Sequence, residues 1–87
     1  MIDQPTLDLD VRDLIPRQRH ERIFSELALL EQGHRVRLIN DHDPKPLHYQ
    51  LMAENPGEFD WEEEEMGPDR WVVAITRCKS AKGDGTK

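Results

Sequence analysis

The side chains with the most chemical potential crowd into one segment, Asn40-Asp41-His42-Asp43-Pro44-Lys45-Pro46-Leu47-His48, which holds two carboxylates and two imidazoles. Imidazole nitrogens and carboxylate oxygens are the donors chosen by zinc, non-haem iron and related ions. An open zinc or iron site can be drawn from His20, His42 and one of Asp41, Asp43 or His48, with His20, Asp41 and His42 as the leading set. The same segment supports a second chemistry. Two helix N-termini opening onto one crevice, flanked by Arg12, Arg17 and Arg19, would suit a carboxylate, a phosphate or an acidic side chain. A third account needs no ligand. Asp43 caps a helix, Asp41 turns the loop or pairs with Arg12, Asp13 ties the loop down, His48 stands exposed, and His20 caps or packs. Local hydrogen bonding is the commoner origin of such clusters, and no fixed metal spacing of the His-Glu-x-x-His kind occurs.

Other reactive candidates are weaker. Cys78 is the single cysteine, so it has no disulfide partner within the chain and no Cys-x-x-Cys companion. No His, Asp or helix start stands beside it to lower its thiol pKa. Ser25 and Ser80 have no triad context. Glu62 to Glu65 form an acidic run that reads as a solvated strand end, and Trp61 and Trp71 read as core residues facing the helices.

The elements that must position these residues follow from periodicity. Leu7, Leu9 and Val11 alternate with Asp8, Asp10 and Arg12, a strand pattern. Pro16 suits the first turn of a helix carrying Ile23, Phe24, Leu27, Ala28 and Leu30 on one side, closed by Gly33 as a left-handed cap. A second strand spans residues 34–40. Asp43 as N-cap and Pro44 as first helical residue open a second helix, whose buried stripe is Leu47, Leu51 and Tyr49 or Met52. Asn55-Pro56-Gly57 stops it. Phe59 and Trp61 lie in a third strand, Gly67-Pro68-Asp69 form a turn, and Trp71, Val73 and Ile75 point inward from a fourth.

The order β-α-β-α-β-β predicts an α/β (α+β) two-layer sandwich: a four-stranded mixed sheet with both helices on one face, and Arg35, Arg37 and Glu62 towards water. Strands one and two should be parallel neighbours, because a single helix joins them and a parallel pair needs a crossover. Both strand-to-helix loops then meet at one sheet edge, bringing residues 12–20 near residues 40–48. The expected ligand-binding edge is Arg12, Asp13, Arg19, His20, Asp41, His42 and Asp43.

Bulk properties set the outer bounds. Eighty-seven residues, with 36% hydrophobic and 34% charged side chains, make one domain with a thin core, residues 1–77, and a polar tail, residues 78–87, expected to be disordered. A formal charge of −6 argues against phosphate-backbone binding, so no nucleic-acid partner is expected. No apolar stretch approaches a membrane span, and the first residues lack a signal-peptide pattern, so a cytoplasmic location is expected.

Taken together, Leu9-Asp10-Val11-Arg12-Asp13-Leu14, Pro16, Arg19-His20, Asn40 to Leu47, Glu54-Asn55-Pro56-Gly57 and Gly67-Pro68 resemble the bacterial family called domain of unknown function 2249. The resemblance spans residues 7–77, and Asn-Asp-His-Asp-Pro-x-Pro-Leu is its most specific part. His48 stands where members often carry Tyr. The family is in turn similar to sulfur carriers of the TusA and SirA type, which share the β-α-β-α-β-β order and keep a Cys-Pro pair at the start of the first helix. Here that neighbourhood reads Ile15-Pro16, without cysteine. The resemblance implies an accessory module of bacterial redox, metal or nitrogen-oxide metabolism, partnered with hemerythrin-like or cupin-type redox modules. A degenerate sulfur-carrier relative is the alternative, and a zinc or iron module a second one. An enzyme is not expected, since no activated nucleophile or paired acid and base can be named.

Overall fold

The computed structural model describes residues 6–78, so residues 79–87 of the expected tail lie outside the described residues. The elements run β1 Thr6–Asp10, α1 Pro16–Leu29, β2 Arg35–Asn40, α2 Lys45–Glu54, β3 Phe59–Met66 and β4 Trp71–Arg77. They build one four-stranded mixed sheet in the order β1-β2-β4-β3. β1 runs parallel to β2, with Leu7 opposite Val36 and Leu9 opposite Leu38. β4 is antiparallel to both β2 and β3. The parallel pair follows from α1: fourteen residues rising about 1.5 Å each carry the chain back along the sheet, and β2 then starts beside the start of β1.

One core cluster joins Ile23 and Leu27 of α1 and Leu51 of α2 to Leu9, Val11, Val36, Leu38, Phe59, Val73 and Ile75. These strand residues share one sheet face by register, so both helices cover that face. Burying each large aliphatic side chain here contributes about 2 kcal/mol. Leu7, expected inward, is largely exposed at the sheet edge. Of the alternatives on α2, Met52 packs against the core while Tyr49 is exposed. Trp61 also packs against the core, whereas Trp71 lies against Gly67.

The opposite face departs from a simple charged surface. Ile39, Val72 and Ala74 are buried there. Arg37, directly opposite Ala74, reaches Asp8 on one side at 3.3 Å and Glu64 on the other at 3.0 Å. Glu64 is available because the β3–β4 register shifts between Glu63 and Glu65, a bulge that re-aims side chains within the acidic run.

Two helix ends differ from the sequence reading. Gly33 does not cap α1: the helix stops at Leu29, and Leu30 is already extended at ψ 128. Arg77 does the work instead, donating from Nε to the Leu30 carbonyl at 2.6 Å and from Nη2 to the Leu27 carbonyl at 2.9 Å. Carbonyls orphaned at a helix C-terminus need such a donor, and a long-range arginine replaces the glycine motif. Gly33 keeps its positive φ of 83 for the following turn, where its N–H donates to the Arg77 carbonyl. Asp43 is not the N-cap of α2. Pro44 holds that position and Pro46 lies in the first turn.

Candidate functional site

The C-terminal ends of β1 and β2 and the first turns of α1 and α2 converge on one edge, as the crossover requires. Arg19 organises it. This residue sits one turn into α1 with its side chain only 13% exposed. Its five N–H groups meet five oxygens: Nε donates to the Leu14 carbonyl, Nη1 to Asn40 Oδ1 and Asp41 Oδ1, and Nη2 to the Arg12 carbonyl and Asp41 Oδ2. Arg19 therefore stitches the β1–α1 loop to the β2–α2 loop and has no donor left for a ligand. The guanidinium also holds the Asp41 carboxyl well below its usual range, at about 2, with the His42 contact adding to the effect.

Arg12 is occupied elsewhere. It was expected to pair with Asp41, but it gives its fork to Asp10, with Nε at 2.9 Å and Nη2 at 2.6 Å. That contact holds Asp10 at about 2. The reason is local: Asp10 ends β1 and Arg12 follows two residues later, so a short link forms within one loop. Neither Arg12 nor Asp13 lines the cleft described below. The first turn of α2 offers few donors as well. The Lys45 N–H donates to Asp43 Oδ1 at 2.9 Å, and Pro46 has none. The anion crevice thus loses the arginines and much of the helix-start character it needed.

His42 has a defined orientation. Its Nδ1 lies 2.7 Å from Asp41 Oδ1. Arg19 Nη1 also lies 3.3 Å from this nitrogen, but both Nη1 hydrogens point at nearer oxygens at 2.8 Å. The Nδ1 proton therefore belongs to His42 and is donated to the carboxylate. Whenever the ring is neutral, Nε2 then carries the lone pair, on a side chain that is 64% exposed. A carboxylate on Nδ1 is the arrangement that fixes histidine tautomers in metal and catalytic sites.

His20 and His42 line the same cleft but are not assembled with Asp41 into a ligand set. His20 packs against Phe24, with ring centroids 4.6 Å apart, and its Nε2 lies 3.4 Å from Gln50 Oε1. Asp41 offers its oxygens to Arg19 and His42. Among the described residues, no group of three or more His, Cys, Asp or Glu side chains could hold a metal ion. The donors present among the described residues do not fit a zinc or iron site. His48 is directed away and stacks on Trp61 at 4.3 Å.

What remains is a cleft of about 210 Å³ between the starts of α1 and α2. Ile23, Leu47, Pro16 and Pro46 supply an apolar wall, His20, His42, Asn40 and Gln50 supply neutral polarity, and Asp43 and the saturated Arg19 supply charge. Sequence reasoning missed Asn40, Gln50 and the centrality of Arg19. The signal for Asn40 was present, since it continues the inward alternation of Val36 and Leu38 and is itself buried. Gln50 follows Leu47 by three residues and so shares its helix face.

The family model of the uncharacterized conserved protein DUF2249 matches residues 8–77. The chain belongs to that family. The match covers every element of this DUF2249 domain except the first residues of β1. No curated protein and no solved structure matches the chain. In this DUF2249 domain Ile15 is the N-cap of α1, with Pro16 following it. No helix among the described residues is long and apolar enough to cross a membrane.

Proposed function

We propose that this DUF2249 domain is a non-enzymatic binding or accessory module that engages a partner protein through the cleft between the starts of α1 and α2. The observation that carries the reading is the saturation of Arg19. A largely buried guanidinium spends every donor on holding two loops in register, which leaves a preformed cleft whose polar groups include the exposed His42 ring and the Asp43 carboxylate. Preformed concavity with a few fixed polar groups is the usual character of a binding site. Assignment to redox, metal or nitrogen-oxide metabolism rests on the family resemblance alone.

The test is a nuclear magnetic resonance screen of small fragments of varied chemistry against the isotopically labelled full chain. The reading expects the binding fragments to converge on signals of Ile23, Asn40, Leu47 and Gln50. Convergence instead on the smaller cavity of about 100 Å³ lined by Phe24, Leu51 and Phe59 would overturn it.

A further inference from the structure

We infer that the cleft accepts one neutral, ring-bearing side chain of a partner protein, a tryptophan or tyrosine, that donates a single hydrogen bond to His42 Nε2. This rests on the reading of the cleft as the binding site and adds the chemistry of what enters it. Three observations on the molecule converge.

The first is size. Pockets for drug-sized ligands span about 300–1,000 Å³, so a cleft of about 210 Å³ has room for one ring rather than a nucleotide or an organic cofactor. The second is charge. Arg19 is saturated, the Arg12 fork belongs to Asp10, and the Asp43 carboxylate lines the cleft. An anion would meet carboxylates without a free guanidinium, whereas a neutral ring meets Ile23, Leu47 and two prolines. The third is hydrogen-bond polarity. Asp41 accepts a hydrogen bond from His42 Nδ1–H, so whenever the ring is neutral Nε2 accepts and does not donate. An indole N–H or a phenol O–H answers both the apolar wall and that acceptor. The net charge of −6 further favours a side chain flanked by basic residues.

The experiment titrates the full chain at pH 7.5 with indole, p-cresol, N-methylindole, inorganic phosphate, zinc chloride and the tripeptide Lys-Trp-Lys, following the Ile23, Leu47 and Gln50 signals. Indole and p-cresol should shift these saturably, and N-methylindole, which lacks the donor, should bind about fivefold more weakly, as befits one net hydrogen bond. The tripeptide should bind more tightly than indole, and free indole binding better than the tripeptide would overturn a protein source. His42→Phe should abolish the roughly fivefold preference for indole over N-methylindole. Its high exposure makes this variant safe for the fold. Asp41→Ala removes the acceptor from Nδ1 and frees Arg19 Nη1, 3.3 Å away, to donate to it. The proton should then move to Nε2, visible in imidazole nitrogen shifts, and the preference for indole over N-methylindole should vanish. If phosphate or zinc occupies the cleft instead, or N-methylindole binds as well as indole, the inference fails while the binding site stands. If no probe moves the cleft signals, both fail.

Discussion

Replacing Arg19 with methionine keeps the length and the apolar stem of the side chain and removes all five donors. The cost can be worked from the contacts. Bonds to the Leu14 carbonyl, the Arg12 carbonyl and Asn40 Oδ1 join a charged donor to neutral oxygens, and each contributes about 1 kcal/mol net. Asp41 is left out of the sum because its side chain is 42% exposed and rehydrates when freed. The expected loss is about 3 kcal/mol by urea unfolding with an unchanged m-value, or about 15 °C in melting temperature for a domain of this size. Arg19→Lys should recover only part of this, because an ammonium cannot span acceptors on two loops in one plane. A second readout follows from charge. Asp41 falls from 3.8 to about 2 in the folded protein, chiefly through Arg19. A depressed carboxyl stabilises the fold above its unfolded pKa, and that contribution is lost as pH falls from about 4 towards 2. In Arg19→Met the Asp41 carboxyl carbon should titrate clearly above 2, with the His42 contact as its remaining depressant, and most of this acid-limb contribution should disappear. A stability loss under about 1 kcal/mol, or an Asp41 midpoint still near 2, would refute the account of Arg19 as the clamp of the site.

Arg77→Met should cost about 2–3 kcal/mol in urea unfolding, since it strips donors from the Leu27 and Leu30 carbonyls and removes the cation held 4.6 Å over Phe59. Gly67→Ala should be far more damaging than Gly57→Ala. Both glycines have positive φ, but a Cβ at Gly67 would come within 2.6 Å of the Trp71 ring, while none at Gly57 meets an atom within 4 Å; melting curves should show about 1 kcal/mol lost at Gly57 and clearly more at Gly67. Arg12→Gln should raise the Asp10 midpoint from about 2 towards 3.8 in a carboxyl titration and barely move the melting temperature, because both partners are solvent-exposed.

The fold was legible in local signals. Alternation marked the strands, Pro16 and Asn55-Pro56-Gly57 marked helix ends, and one crossover helix between two short strands dictated that β1 and β2 run parallel. Parallel strands place both following loops at one edge, so the neighbourhood of residues 12–20 and 40–48 was also implied by the chain alone. The partners within that neighbourhood were not. Arg12 and Arg19 are both basic, and nothing in residue type shows that Arg12 turns back to Asp10 while Arg19, one turn into a helix, crosses to Asn40 and Asp41. The end of α1 shows the same limit. Gly33 looked like the cap, but Arg77, close to it only after the sheet has formed, satisfies the carbonyls first. Periodicity records which face of an element is apolar, a property each segment carries by itself. Hydrogen-bond partners depend on distances between segments, and those exist only once the core has brought the segments together. That is why the sequence by itself determined where the site lies, and only the tertiary structure decided that its arginines are structural and that its cleft presents the His42 ring and the Asp43 carboxylate.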